Sequence, residues 1–470
     1  MNSGIAAMLR PHRMQPVPWR LPTLRDLFAL AWPLILGRAA QSVVGFTDAV
    51  LVAPLGPDAL AATGNGALNA LAVFMLPLGV AFIVQSFAAQ LVGRPDRARL
   101  RRYGWYGLGI AAIAEIVGLA LIPALPWLLA RSGYSPAVRA LMGGYLALRL
   151  VGVGGAVGIE ALANWFGGQG NTRVGLAASL LVMVLNVPLA WLLIHGGAGL
   201  PAMGVRGAAL ASIVATAAGF TYVIVAFARA GRGQPSPGWR WGEFRRVLRF
   251  GLPNGVNWFL EFGAFLFFID VVFAGMGTAA LAALMAVLQL NSVAFMPAFG
   301  LANAGAIHVG QAIGAGQPDA VRGLVRRTLA VAATWMGAVG FGYVLAPRLL
   351  LAPFSPGSVA ARAMFLTTAV PLLWVAVAWQ LFDAASLVFS ETLRAAGDTA
   401  WPMRMRIFIS WGVFVPLTVL TARWGGGPVG ALSWVVLYVA ALAFFMAWRL
   451  GRGAWRTMQL TGDEPDLVEP

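Results

Sequence analysis

About a dozen stretches of this chain stay apolar for 20 or more residues at a time, and each can cross a hydrocarbon core about 30 Å thick as a helix. One such stretch would fit a signal peptide or a buried core helix. A dozen in one chain fit only a polytopic membrane protein. They fall near 27–51, 58–90, 103–129, 137–166, 174–196 and 204–229, and again near 247–274, 278–312, 325–351, 358–393, 402–424 and 429–450. Charged residues make up only 11% of the chain and mean hydropathy is +0.77, whereas soluble domains carry about 25% charge. The expected fold class is an all-α polytopic membrane protein with 12 transmembrane helices.

The net charge of +16 would suit a nucleic-acid partner, but the positions of the charges exclude one. All 33 basic residues are arginine. They concentrate in the N-terminal tail, the even-numbered loops and the C-terminal tail, as in Arg94–Arg102 and Arg240–Arg249, and only Arg38 and Arg149 are assigned to spans. This is the positive-inside pattern, and it places both termini in the cytoplasm. Residues 1–26 carry Arg10, Arg13, Arg20 and Arg25 without a small-residue cleavage site and read as a cytoplasmic tail. The expected location is a bacterial-type inner membrane, with the bilayer as partner and the chain acting as a monomer. With no cysteine, and with His12, His195 and His308 scattered, no thiolate or zinc-ligand spacing exists. Neither a Gly-x-Gly-Asp nor a His-Glu-x-x-His motif occurs, so an intramembrane protease is excluded and no cofactor is expected.

The chain repeats itself weakly. Leu55-Gly56-Pro57-Asp58-Ala59-Leu60 answers Met276-Gly277-Thr278-Ala279-Ala280-Leu281, and Phe74-Met75-Leu76-Pro77 answers Phe295-Met296-Pro297. Gln90-Leu91-Val92-Gly93 answers Gln311-Ala312-Ile313-Gly314, Pro95-Asp96 answers Pro318-Asp319, and Gly170-Asn171-Thr172 answers Gly397-Asp398-Thr399. The order is kept at an offset of about 220–228 residues. Six spans per half bring both halves in from the same face, so they should be related by a pseudo-two-fold axis along the membrane normal. The expected parts are a tail (1–26), an N-lobe (27–229), a Gly-, Pro- and Arg-rich linker (230–246), a C-lobe (247–450) and a tail (451–470). This is the plan of a two-lobed transporter.

Six acids fall inside the assigned spans: Asp48, Glu115, Glu160, Glu261, Asp270 and Asp383. A charged Asp at a helix centre costs about 2.5–3.5 kcal/mol on insertion scales, so six together must face water, hold protons or hold cations. A carboxyl whose charge is disfavoured by burial suits exchange of a proton for another cation. Gln41 and Asp48 are seven residues apart and share a helix face. Asn186-Val187-Pro188 places a polar group beside a helix break that frees a carbonyl. Glu261 and Asp383 have no arginine within a helical turn, whereas Glu115 and Asp270 lie near span ends. Glu160 and Arg149 lie too far apart along one helix to pair, and Arg38 is expected to snorkel to the surface. Trp165, Trp258, Phe259, Phe262, Trp374 and Trp379 lie close to these acids in sequence, and an aromatic face beside a carboxylate suits an organic cation.

These residues resemble the multidrug and toxic compound extrusion (MATE) transporters over about residues 25–450. The resemblance rests on Gln41-Ser42-Val43-Val44-Gly45-Phe46-Thr47-Asp48, Val309-Gly310-Gln311-Ala312-Ile313-Gly314-Ala315-Gly316, Gly397-Asp398-Thr399 and Gly204-Val205-Arg206-Gly207-Ala208-Ala209. Trp258-Phe259-Leu260-Glu261 and Leu381-Phe382-Asp383-Ala384 are similar to motifs of the NorM-type branch. The resemblance implies antiport of cationic, lipophilic drugs against H⁺ or Na⁺. It implies coupling through Glu261 and Asp383, which would also be the Na⁺ ligands, and through Asp48 with Asn186. Gln41, Trp258, Phe262, Trp379 and Glu160 would line the substrate cleft. Ala190 stands where the family carries a second Asn and Trp379 where it carries a Tyr. Both changes remove an oxygen from a Na⁺ site and lean toward H⁺. The rival reading is a flippase of a lipid-linked saccharide or cell-wall precursor, which would need intramembrane arginines for pyrophosphate; six acids against two arginines argue against it.

Overall fold

The computed structural model describes residues 20–94, 97–197, 199–232, 238–458 and 460–461, except the side chains of Arg97 and Ala98. Most of the N-terminal tail, Pro95-Asp96, the middle of the linker and the acidic end of the C-terminal tail lie outside the described residues. Twelve spans follow one another: α1 (Leu24–Leu55), α2 (Pro57–Val92), α3 (Arg99–Ala130), α4 (Pro136–Val151 with Val153–Gly168), α5 (Arg173–His195) and α6 (Val205–Ala230). The second set is α7 (Trp241–Phe273), α8 (Thr278–Gly314), α9 (Ala320–Leu345), α10 (Val359–Ala396), α11 (Ala400–Arg423) and α12 (Gly427–Gly451).

Local chemistry sets the bounds and breaks. Thr23 and Asp26 form a reciprocal capping box at the start of α1, with Thr23 N donating to Asp26 Oδ2 at 2.8 Å. The span α4 bends by 43° at Gly152. The bend frees backbone N–H groups, and the Glu115 carboxylate takes the one on Gly154 at 2.6 Å. Glu115 is thus a structural cap inside the membrane, where an unmet N–H is expensive. The repeated Gly170 and Gly397 are both left-handed, with φ of +87° and +96°, and each turns the chain just past the fourth span of its lobe. At these turns Asn171 N donates to Phe166 O at 3.0 Å and Asp398 N to Leu393 O at 2.9 Å, closing orphan carbonyls in the Schellman manner.

Packing within the halves obeys one rule twice. In the first half α1 packs on α5, α2 on α3 and α4, α3 on α4, and α4 and α5 on α6. In the second half α7 packs on α11, α8 on α9 and α10, α9 on α10, and α10 and α11 on α12. The contacts between halves also come in a related pair, α1 on α8 and α7 on α2. The fold is two six-helix lobes about a pseudo-two-fold axis.

The lobes meet where α8 and α10 overrun the bilayer. These helices have 37 and 38 residues, about 55 Å each at 1.5 Å per residue. Gln90 donates its side-chain amide to Ala395 O at 2.8 Å, and its repeat partner Gln311 donates to Gly168 O at 3.0 Å. Each glutamine therefore reaches the end of the fourth span of the opposite lobe. Between them lies Arg394, only 3% exposed. Its guanidinium donates to Glu391 Oε2 (3.0 Å from Nε), Ser86 Oγ (3.0 Å), Phe82 O (3.3 Å) and Gln85 Oε1 (2.9 Å). Its carbon plane stacks 4.3 Å from the Phe82 ring centre. Arg394 and Glu391 belong to the C-lobe, the other partners to the N-lobe.

Glycines permit this approach. A Cβ on Gly314 would stand 1.9 Å from Gln90 O, and one on Gly93 2.4 Å from Ala315 N. Both obstacles are backbone and cannot step aside. Gly314→Val should therefore hold the lobes apart at this end while leaving each lobe folded. The native chain has no cysteine, so Ala89→Cys, buried at this contact, reports the opening. Its maleimide labelling should rise several-fold in Gly314→Val; unchanged labelling would show that the glycine is not needed for closure.

Candidate functional site

The face of α7 that touches α2 leads directly to the C-lobe cluster. Asn254 donates to Gly79 O at 2.6 Å across the lobes, and Gly255 and Gly79 are in backbone contact. One turn on, the Trp258 ring centre lies 5.1 Å from that of Phe82. Glu261 is seven residues past Asn254 and so on the same face, beyond the point of contact. Its carboxylate accepts from Arg406 on α11 and from Tyr438 Oη on α12 at 3.3 Å. Arg406 also donates to Ser390 Oγ on α10 at 3.1 Å. Asp383 is seven residues before Ser390 and so on the same face of α10. Glu261 thus holds the arginine, and Asp383 lies on the α10 face that carries the arginine's second partner. The backbone opens into π-helical turns nearby, at Phe268–Phe273 and Phe408–Phe414, a deformation common at working sites.

The N-lobe carries two separate groups. Near the lobe contact, Arg38 donates to Glu160 Oε1 at 2.8 Å and to Gln41 Oε1 at 3.2 Å, while Asn164 donates to Glu160 at 3.0 Å. The Arg38 guanidinium stands 5.8 Å from the Phe299 ring centre of α8. Deeper in the lobe, Asp48 is 7% exposed and Asn186 fully buried. Ser212 links them: it donates to Asp48 Oδ2 at 3.4 Å and accepts from Asn186 Nδ2 at 3.2 Å. The positive charge acting on Asp48 is Arg149. Asp48 Oδ1 and Asn186 Oδ1 have no hydrogen-bond partner among the described residues.

Between the lobes, Phe82, Trp258, Phe295 and Phe299 form an aromatic floor, with Phe82 and Phe299 centred 6.1 Å apart and Phe295 and Phe299 6.0 Å apart. Arg394 lies beneath Phe82. The candidate site is this floor, flanked by Arg38–Glu160 on the N-lobe side and by Glu261, Arg406 and Asp383 on the other.

Several expectations need correction. Arg38 does not snorkel; it is held by Glu160 on α4. Gln41 and Asp48 share a face of α1 but join different groups. Glu261 has no arginine near it in sequence, yet Arg406 reaches it from α11. Arg38 and Arg149 are not the sole intramembrane arginines: Arg406 falls within the expected span 402–424, and α10 runs to Ala396, which puts Arg394 inside a helix as well. Glu391, near the end of α10, is a further buried acid beside the six expected. Trp379 lies in the packed C-lobe core and Trp165 in that of the N-lobe, whereas Trp374 is 52% exposed. Phe262 is half-buried and Asp270 exposed. Among the described residues no group of three or more His, Cys, Asp or Glu side chains is arranged to hold a metal ion.

A family model described as MatE matches residues 33–192 and 258–420, one block in each lobe. The chain belongs to the MATE family. Within it the chain is of the NorM type: it is 31% identical over 440 residues to a probable multidrug resistance protein NorM of Mesorhizobium japonicum, covering 90% of this chain and 93% of that one. A multidrug resistance protein NorM of Burkholderia vietnamiensis is 28% identical over 429 residues, covering 90% and 93%. Among solved structures, an outward-facing multidrug resistance MATE transporter shares the fold with a TM-score of 0.81 at 18% identity, covering 93% of this chain and 97% of that one.

The ion pair in this MATE chain makes a thermodynamic prediction. Arg406→Gln strands Glu261, so it should lower unfolding stability by about 1–2 kcal/mol. That is less than the roughly 3–5 kcal/mol of a fully buried pair, because the Glu261 side chain is 37% exposed. Arg406→Gln with Glu261→Gln should recover most of the loss. Thermal unfolding in detergent measures both; equal losses in the single and double variants would show that the pair is not coupled.

Proposed function

We propose that this chain is a secondary active multidrug efflux transporter that exchanges cationic, lipophilic compounds for H⁺ across a bacterial-type inner membrane. The carrying observation is that Glu261, held by Arg406, and Asp383, on the α10 face that carries Arg406's second partner Ser390, lie beside an aromatic floor between two lobes. With both acids ionised the cluster holds one net negative charge, which draws an organic cation to the floor. A proton on each acid removes that charge and weakens the hold of Glu261 on Arg406, so the compound leaves. Protons and compound compete for the same carboxylates, and each expels the other.

Proton coupling is favoured over Na⁺ because the guanidinium of Arg406 already sits on the Glu261 carboxylate, where a small cation would need oxygen ligands. Ala190 and Trp379 supply none. Exchange of two protons for one monovalent cation moves one net charge. Through 100 mV this is worth about 2.3 kcal/mol, roughly a fifty-fold gradient.

The arginine-rich segments lie at the closed end, among them Arg94 with Arg99, Arg101 and Arg102 at the start of α3, and Arg322, Arg326 and Arg327 at the start of α9. On the positive-inside pattern this end faces the cytoplasm with both termini, and the cleft opens outward. A flippase of an anionic lipid-linked precursor is disfavoured, since Arg38, Arg394 and Arg406 are each engaged by a carboxylate.

Purified protein in liposomes tests the reading. Uptake of a fluorescent organic cation should follow an imposed pH gradient and ignore a Na⁺ gradient, and Asp383→Asn and Glu261→Gln should each reduce it at least ten-fold. Undiminished transport in both variants would overturn the role of the cluster. Uptake driven by Na⁺ alone would overturn the choice of ion.

A further inference from the structure

A cavity of about 260 Å³ lies on the flank of the C-lobe, between the start of α9, the end of α10 and the end of α12. Its walls are apolar (Val325, Leu329, Phe389 and Leu450), and Arg322 and Arg326 stand at its mouth. They are four residues apart, hence on one face of α9. Both are exposed, and neither has a hydrogen bond or ion pair among the described residues. The nearby Arg456 is different, being paired with Asp319 at 2.9 Å.

The pseudo-two-fold axis supplies a control within the molecule. The repeat partner of Arg322 is Arg101, at the same offset that relates Gln311 to Gln90, and Gly451 answers Gly231. In the N-lobe Arg101 turns inward and donates to Gly231 O at 3.0 Å. A Cβ on Gly231 would stand 2.3 Å from its guanidinium carbon, whereas a Cβ on Gly451 meets nothing within 4 Å. The N-lobe fills this position with its own arginine, and the C-lobe leaves its arginine outside an apolar trough.

We propose that the trough seats one anionic phospholipid, with its phosphate held by Arg322 and Arg326 and the head of an acyl chain along Val325, Leu329 and Phe389. Arg322 lies in the first turn of its span, at headgroup level, and Leu329 lies two turns deeper, in the hydrocarbon region. That depth order matches a phospholipid and not a soluble anion. Two free guanidiniums repel the cations proposed for the cleft. The volume is also below the roughly 300–1,000 Å³ of a drug-sized site, which suits one end of a long molecule. Phe389 directly precedes Ser390, the partner of Arg406, so a lipid here would brace the α10 segment that joins the C-lobe cluster to Arg394.

Native mass spectrometry of the full chain in detergent tests the seat with phosphatidylglycerol and with phosphatidylcholine of the same acyl chains. Wild type should retain one phosphatidylglycerol and lose phosphatidylcholine. Arg322→Gln with Arg326→Gln should weaken phosphatidylglycerol retention about thirty-fold, from two arginines near an anionic phosphate. Arg348→Gln with Arg362→Gln, which removes the same charge just past the end of α9 and at the start of α10, should leave it unchanged. Ala447→Trp, which fills the trough with both arginines intact, should abolish it. Undiminished retention in either the Arg322/Arg326 variant or Ala447→Trp would overturn the proposal. So would equal retention of phosphatidylcholine, or displacement by soluble glycerol phosphate at equal concentration.

Discussion

The structure depends on a contact that must be tight and yet breakable. A transporter with a central site has to close one end completely and then release it, so the closing contact cannot be a hydrophobic core of the usual strength. Here it is made of glycine backbones, two reciprocal glutamine amides and one fully engaged arginine. Each neutral hydrogen bond is worth about 0.5–1.5 kcal/mol net, and bonds to charged groups about 1.5–3 kcal/mol. The two amide bonds and the three cross-lobe bonds of Arg394 sum to about 6–12 kcal/mol. That is within a factor of about two of the roughly 5.5 kcal/mol that swings a two-state equilibrium from 1:99 to 99:1. Backbone against backbone also makes closure abrupt: at Gly314 and Gly93 no side chain yields, so the lobes are either seated or apart.

The same economy governs the charges. Taking an ion out of water costs several kcal/mol even after relaxation, and this chain meets the cost by pairing helices rather than by excluding ions. Glu160 is held by Arg38 and Glu261 by Arg406, each pair tying two helices together. Glu391 holds Arg394 within α10 while that arginine reaches Phe82, Gln85 and Ser86 of the opposite lobe. Paired ions are then cheap to keep and expensive to break singly, which fixes helix positions around the floor. Glu115 shows the complementary use, a carboxylate spent on the backbone at a helix break.

Much of this was legible in the sequence, for definite reasons. The spans were legible because hydrocarbon thickness sets a length that apolar composition cannot hide. The two lobes were legible because a two-fold relation forces equal residues to equal tasks. Gln90 and Gln311 make the same bond from opposite sides, and Gly170 and Gly397 end equivalent helices. Partners were not legible. Arg406 is 145 residues from Glu261 and Arg38 is 122 from Glu160, and no periodicity within one helix reports on another. Arginines near span ends read as topology signals, which concealed Arg394 and Arg406 among them. Phe82 and Phe299 looked like any other apolar residues, since a floor residue differs from a core residue only by what the opposite lobe presents to it.

Where the repeat fails, the lobes take different tasks. The N-lobe pairs Arg38 with Glu160, spends Glu115 on the α4 bend, and seals Asp48 and Asn186 behind Ser212. Its pair beside the floor is balanced. The C-lobe sets Arg406 on Glu261, adds Asp383 on the neighbouring face of α10, and leaves Glu261 partly open. A balanced pair has nothing to gain from a visiting cation, whereas an unbalanced one does. Symmetry thus builds the hinge, and on the function proposed above the excess acid in one lobe gives the motion something to carry.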